Sequence, residues 1–392
     1  MNAAPMLRSR LPVWPQYDDT ERAGLLRALE QGQWWRMGGG EVDAFEAEFA
    51  HYHGSEFGLA VTNGTHALEL ALQVLGVGPG SEVIVPAFTF ISSSQAAQRL
   101  GAVAVPVDID PVTYNLDPAA AAAAVTARTA AIMPVHIAGE VADMDALAKI
   151  SADTGVPLIQ DAAHAHGAQW QGRRIGELDT VAAFSFQNGK LMTAGEGGAV
   201  LFPDAGLREE AFLRHSCGRP RSDRYYRHQT SGSNFRLNEF SAAVLRAQLR
   251  RLDGQIEIRE ERWPLLSGLL ARIPGVVPQG RDPRATRRPH YMAMFRVPGI
   301  AEQQRNELVD RLVDRGLPAF AAFRVIYRSD GFWETGAPAM TVDELAQRCP
   351  NAEALGADGI WLHHRTLLGT VAQMHEVAEI IDWTVAEARG RR

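Results

Sequence analysis

The sequence predicts an α/β protein with a large domain over residues 1–265, built on a mostly parallel sheet flanked by helices, and a small α+β C-terminal domain over residues 266–392. Three observations predict it. Between residues 58 and 202, short apolar runs of strand length alternate with helix-length segments, the pattern of parallel strands joined by crossover helices. After residue 202 that alternation stops, and the chain turns basic and loop-like before long apolar-periodic helices take over. At 392 residues the chain exceeds one ordinary domain, and its 46% apolar content is enough for a substantial core.

The elements follow in chain order. Residues 1–15 are Pro-rich and read as irregular, and Thr20 to Gln31 reads as an amphipathic helix closed by Gly32. Gln33-Trp-Trp-Arg-Met-Gly-Gly-Gly40 places two adjacent tryptophans where a surface loop is expected. Trp34 and Trp35 are costly to expose, so they either plug the core or a subunit interface, or belong to a loop that folds over a pocket. Val61-Thr-Asn-Gly64-Thr65 followed by His66 to Leu75 reads as a strand end, a tight turn and an apolar helix. The backbone N–H groups of Gly64 and Thr65 would open that helix, where the dipole favours an anion, and the Thr65 hydroxyl adds a donor. An ordinary N-cap is the plainer reading of the same residues. Gly76-Val-Gly-Pro-Gly80 follows a helix rather than a strand, which removes it as a dinucleotide fingerprint.

Strands are expected at Glu82 to Phe90, Val103 to Asp108 and Ala130 to Ile137, and again at Val156 to Asp161, Thr180 to Phe186 and Ala199 to Phe202. Asp117-Pro118 caps an Ala-rich helix, and Gly155 stops a helix over Asp143 to Asp153. Arg214 through Arg227 is basic and loop-like, ending at Asn234-Phe-Arg-Leu-Asn238. One helix over Glu239 to Leu252 and a second to about Ile273 come next, then a linker or exposed loop from Pro274 to Pro289. Tyr291 to Arg296 and Gly316 to Phe320 read as strands, with helices at 302–315, 341–355 and 371–388.

Composition excludes several function classes. The net charge of -7 comes from interspersed acids and bases, so no basic patch points to nucleic acid or an anionic membrane. Cys217 and Cys349, the only cysteines, lack metal-ligand spacing and read as free thiols of a reducing compartment. The first ten residues hold no apolar signal-peptide core, and no apolar run reaches the ~18 residues that span a bilayer. The expectation is a cytoplasmic protein that acts on a small molecule.

The candidate chemistry is concentrated between Asp161 and Gly198. Asp161, Ser185 and Lys190 fall at the carboxyl ends of successive expected strands, the edge where open α/β sheets bind ligands. A lone lysine in a Gly-rich loop is usually a solvated surface residue. Lysine and acid delivered together to that edge suggest instead a carbonyl cofactor held as a Schiff base, with the acid on its ring nitrogen. Pyridoxal phosphate needs a lysine, an acid, phosphate donors, a flat stacking side chain and a partner for its 3-hydroxyl. Lys190, Asp161, Gly64 and Thr65 with Ser185, Phe90 and His164 meet those needs in that order. The rival, a metal held by Asp161, His164 and His166, leaves Lys190, Phe90 and the phosphate-type turn unexplained, so no metal is expected.

With those residues in hand, the chain resembles the aspartate-aminotransferase fold type (fold type I) of pyridoxal-phosphate enzymes, and within it the DegT/StrS family that aminates sugars and cyclitols. The resemblance rests on Gln31-Gly-Gln-Trp-Trp-Arg-Met-Gly-Gly39, Gln160-Asp-Ala-Ala-His-Ala-His-Gly167 and Phe184 to Gly198, with His290 to Arg296 and Trp361 to Arg365 adding to them. It implies Lys190 as the Schiff-base lysine, Asp161 as the pyridinium partner, Phe90 as the stacking aromatic and Ser185 as a phosphate ligand. It implies that Asn234 reaches the phosphate of a neighbouring subunit, and so a homodimer with shared active sites. His164 and Leu191 stand where sugar-aminating members usually carry Gln and often Asn. That departure favours members that dehydrate and aromatise 5-amino-5-deoxy-3-dehydroshikimate to 3-amino-5-hydroxybenzoic acid for ansamycin- and mitomycin-type antibiotics. The resemblance also implies a second, keto-sugar transaminase activity, and a plain sugar or cyclitol aminotransferase is the alternative. Arg219 is the expected cation for the substrate carboxylate, with Trp34 or Trp35 as a wall.

Overall fold

The computed structural model describes residues 5–221 and 223–390, so residues 1–4 of the Pro-rich segment and Ser222 of the basic one lie outside it. Every apolar run expected as a strand before residue 203 is one. These are β1 (Phe57–Val61), β2 (Glu82–Pro86), β3 (Val103–Val107), β4 (Thr129–Ile132) and β5 (Ile159–Asp161), then β8 (Val181–Ser185) and β9 (Gly198–Phe202) after a short ribbon of β6 (Gln169–Trp170) and β7 (Arg173–Arg174). They form two linked groups, β1-β9-β8-β5 and β4-β2-β3, joined by parallel bridges from Ile132 to Leu158 and from Val135 to Asp161. Only β9 runs against its neighbours; β2–β3, β2–β4 and β5–β8 are parallel. Residues of β2, β8 and β9 are buried throughout, which is why these strands read as unbroken apolar runs instead of alternating ones.

Local signals in the sequence end most helices where expected. Asp18, Asn63, Asp117 and Asp143 cap the helices Asp19–Gln31, Gly64–Val74, Pro118–Ala123 and Met144–Thr154, each with its side-chain oxygen on a backbone N–H. Gly32 and Gly155 close two of them in the left-handed conformation, at φ of 67° and 75°. Helices Glu41–Tyr52, Ser92–Arg99 and Ala205–His215 add to those read from the sequence.

The C-terminal part has its own antiparallel sheet, ordered β10-β12-β14-β13, from β10 (Val277–Pro278), β12 (Met292–Arg296), β13 (Ala319–Ala321) and β14 (Gly359–His363). The intervening strand β11 (Ala285–Arg287) pairs with β6. A second core gathers there around Leu266, Phe295, Leu312, Ile360 and Ile381. Helix Glu239–Leu270 serves both cores, with Leu245 and Ile256 in the first and Leu266 in the second. The sequence suggests two helices here, Glu239 to Leu252 and a second to about Ile273, where the structure has one. Gly254 lies on the exposed face between the buried Leu252 and Ile256, and their packing outweighs its propensity cost of ~1 kcal/mol. Pro274 to Pro289 is not an exposed linker either: Gln279, Ala285 and Arg288 are buried, and Arg288 pairs with the buried Glu140 at 3.0 Å. The helix expected over 341–355 is two, Val342–Arg348 and Pro350–Asp358, because Pro350 starts a new helix at its first turn. Among the described residues no helix is long and apolar enough to cross a membrane.

Candidate active site

A cavity of about 340 Å³ opens at the carboxyl ends of the central strands. It brings together seven of the residues singled out from the sequence: Gly64, Thr65, Phe90, Asp161, His164, Ser185 and Lys190. Asp161 ends β5, Ser185 ends β8, and Lys190 follows in the loop that leads toward β9. Gly64 and Thr65 are the first residues of helix Gly64–Val74, which approaches so closely that a Cβ on Gly64 would lie 2.6 Å from that of Ser185. Only glycine fits there. The Thr65 hydroxyl donates to Ser92 Oγ at 2.9 Å.

Asp161 is the buried carboxylate of the cavity, whereas Glu196, the other acid lining it, is exposed. The Ser93 hydroxyl donates to Asp161 Oδ2 at 2.8 Å, and the backbone N–H of Ala163 donates to Oδ1 at 3.2 Å. Burial pushes the Asp161 carboxyl upward in pKa, while those two bonds and the charge of Lys190 pull it back. Ser93 itself exchanges a hydrogen bond with Thr89 Oγ1 at 3.0 Å. No motif flags Ser93 in the sequence; its place on the first turn after Phe90 is the only signal.

Lys190 is pushed down to about 8, first by loss of hydration and against the pull of Asp161. The open cavity leaves its surface half-exposed, yet surrounding protein strips the amine of much of its water. Its Nζ sits 4.5 Å from the centre of the Tyr291 ring. The same ring stacks on His164 at 4.2 Å and 23°. His164 is held far below the ordinary histidine range by burial and then by Lys190, so it is neutral, and its buried Nδ1 has no hydrogen-bond partner among the described residues. Phe90, exposed at 56%, presents its ring to the open space.

Tyr291, Phe323 and Trp361 wall the cavity from the C-terminal part and were not singled out from the sequence as site residues. Trp34, Trp35, Arg219 and Asn234 do not line it within one chain. Arg219 is turned onto its own loop, where Nη2 donates to the Asp223 carbonyl at 3.0 Å and the guanidinium lies over Tyr226 at 4.4 Å. Trp34 and Trp35 are 52% and 54% exposed, so they do not plug the core of the chain. Among the described residues no three His, Cys, Asp or Glu side chains converge to hold a metal ion.

The chain as a whole has counterparts among known proteins. The model of the DegT/DnrJ/EryC1/StrS aminotransferase family matches residues 16–382. The chain is 73% identical to the 3-amino-5-hydroxybenzoate synthase of Amycolatopsis mediterranei over 379 residues, covering 96% of this chain and 98% of that protein. A crystal structure of a 3-amino-5-hydroxybenzoic acid synthase superposes over the full length of both chains with a TM-score of 0.96 at 70% identity. DesV of S. venezuelae, solved with a ketimine intermediate, superposes with a TM-score of 0.84 at 35% identity over 93% of this chain and 94% of its own. On the match across nearly its whole length, the chain belongs to the DegT/DnrJ/EryC1/StrS aminotransferase family.

Proposed function

We propose that this protein dehydrates and aromatises 5-amino-5-deoxy-3-dehydroshikimate to 3-amino-5-hydroxybenzoic acid, a building block of antibiotics, with pyridoxal phosphate as cofactor. The observation that carries the reading is 73% identity to a 3-amino-5-hydroxybenzoate synthase across almost all of both chains. The cavity agrees with it. Its size of about 340 Å³ and its aromatic walls suit a small flat ring.

The residues present fit the cofactor. Lys190 offers an amine of lowered pKa, and Asp161 a carboxylate held ready for the ring nitrogen. Gly64, Thr65 and Ser185 offer donors to its phosphate at a helix N-terminus. Phe90 offers a flat face, and the unsatisfied Nδ1 of the neutral His164 can bond the 3-hydroxyl. When bound, the cofactor supplies an electron sink for the carbon that bears the substrate amine. Lys190 Nζ takes the proton from that carbon, water leaves from the adjacent one, and tautomerisation makes the ring aromatic. One water is lost, nothing is oxidised, and the amine stays on the product.

Donor dependence tests this reading against the sugar or cyclitol aminotransferase. An aminotransferase must load its amino group from a second substrate, whereas the elimination needs none. Aminodehydroshikimate alone should be converted through many turnovers to an aromatic amine, with the cofactor back in its aldehyde form after each. Strict dependence on added glutamate or glutamine, or a single turnover, would put the aminotransferase first.

The assembly we propose is a homodimer whose subunits complete each other's sites, with Asn234, Arg219 and the Trp34–Trp35 loop serving the partner. The exposure of Trp34, Trp35, Tyr225 and Tyr226, from 52% to 76%, supports a surface that a second copy covers. Arg219 is the cation proposed for the substrate carboxylate. Mixing inactive Lys190→Ala with an inactive Asn234 variant, with subunit exchange verified by tags, should restore about a quarter of the sites in a random dimer population. Complete exchange with no recovered activity would place Asn234 in its own subunit's site.

A further inference from the structure

Three segments far apart in the chain converge on the turn that leads into Lys190. His364, just after β14, is fully buried, and its Nε2 lies 3.1 Å from the carbonyl oxygen of Gly189. Arg259, on helix Glu239–Leu270, is also fully buried, and its Nη2 lies 3.2 Å from His364 Nδ1. From the N-terminal segment, the Trp14 indole N–H donates to the Asn188 carbonyl at 3.0 Å, and its ring meets His364 edge-on at 4.4 Å. The N–H of Lys190 closes the turn on the Gln187 carbonyl at 2.8 Å.

The direction of these bonds follows from their chemistry. A guanidinium has donors only, so the ring nitrogen facing it must be the acceptor. Nε2 then carries the hydrogen and donates to Gly189. Burial, and then the charge of Arg259, hold His364 well below the ordinary histidine range, so the ring is neutral and one tautomer remains. Among the described residues Arg259 has no carboxylate partner and its Nε and Nη1 make no hydrogen bond; the face of Trp14 lies 5.8 Å away. A buried guanidinium left without a counter-ion is costly, and core packing alone gives no reason to keep one.

We propose that Arg259 and His364 are positioning residues for Lys190, acting as a relay that runs from the guanidinium through the imidazole to the carbonyl of Gly189. Fixing that carbonyl fixes the peptide plane before the lysine, and so the line along which its amine enters the cavity. The relay also ties the lysine to the sheet that supplies Trp361 to the cavity wall and whose strand β12 follows directly on Tyr291. Neither Arg259 nor His364 lines the cavity, so neither touches substrate. The proposal rests on Lys190 being the reacting amine.

The test compares His364→Phe, His364→Gln and Arg259→Met as holoenzymes and as cofactor-free proteins. Glutamine keeps a side-chain N–H near the place of Nε2, and phenylalanine keeps only the shape. His364→Phe and Arg259→Met should lower kcat about 10- to 100-fold, the scale of a small misplacement of a reacting group, with KM little changed. Both should also slow the capture of added pyridoxal phosphate by the cofactor-free protein, followed by its absorbance. His364→Gln should recover most of kcat and of the capture rate. Equal loss in the Phe and Gln variants, or a rise in KM with kcat intact, would overturn the relay. If His364→Phe does not fold, the other two decide: slowed capture in Arg259→Met beside near-normal capture in His364→Gln supports it, and no difference between them sinks it. Borohydride fixation in each variant separates the two ideas, since label away from Lys190 would refute the lysine assignment itself.

Discussion

Lys190→Ala should eliminate turnover, with a loss of at least the ~10²–10⁴ attributed to one positioned proton-transfer group. The expectation is larger than for any other single change because one amine is asked both to hold the cofactor and to move the substrate proton. The chain makes the experiment unusually clean, since it has only two lysines. The other, Lys149, is an exposed partner of Asp153 at 2.7 Å and serves as an internal control. Borohydride should fix the cofactor on the peptide that contains Lys190 and leave Lys149 unlabelled. A pH series adds a readout that needs no turnover. Only the neutral amine attacks an aldehyde, and Lys190 sits at about 8 against ~10.4 for a free lysine. Capture of pyridoxal phosphate by the cofactor-free protein should therefore speed up as pH rises through about 8 and then level off. Label on Lys149, or capture that keeps accelerating to the pH of an ordinary lysine, would end the assignment.

Much of this cavity's lining could be read from the sequence because its acid, hydroxyl and amine are tied to strand ends. Asp161 and Ser185 close apolar runs, and an apolar run buried on both faces is the strongest signal such a sheet emits. Ser93 was not legible, since its importance lies in a contact with Asp161 across 68 residues. The same holds for helix Glu41–Tyr52. It starts at Gly40, which has no side chain to cap it, and the Glu239 carboxylate accepts instead from the N–H of Glu41 at 2.6 Å and of Val42 at 3.4 Å. A cap supplied from 198 residues away leaves no local trace. Helix Ser92–Arg99 likewise opens on three serines with no side-chain cap, a poor local signal. By contrast Asp204 does cap helix Ala205–His215, so that helix was readable and the basic run after it obscured it. The walls Tyr291, Phe323 and Trp361 are ordinary core-type aromatics in sequence. Only the docking of the C-terminal part against the first core brings them to the cavity that Lys190 also lines.

Asp161→Asn separates the charge of this residue from its shape. Asparagine keeps its single amide oxygen for the Ala163 N–H, and its NH2 can donate to the Ser93 hydroxyl, which can turn because its bond with Thr89 runs in either direction, so the surroundings of the side chain should hold. What it removes is the negative charge proposed to face the cofactor's ring nitrogen, a charge-assisted hydrogen bond worth ~1.5–3 kcal/mol. Cofactor should still bind, more weakly, while most turnover is lost because nothing keeps that nitrogen protonated. The substitution has a second consequence that can be measured without cofactor chemistry being complete. Asp161 is the group that pulls the Lys190 amine upward against its loss of hydration. Without it, the midpoint for capture by the cofactor-free protein should fall below about 8, so the variant should trap pyridoxal phosphate at lower pH than the parent even as its turnover collapses. The two effects run in opposite directions, and a merely structural aspartate would produce neither. Near-normal turnover, or a capture midpoint that stays in place or rises, would show that Asp161 neither serves the ring nitrogen nor shares a field with Lys190.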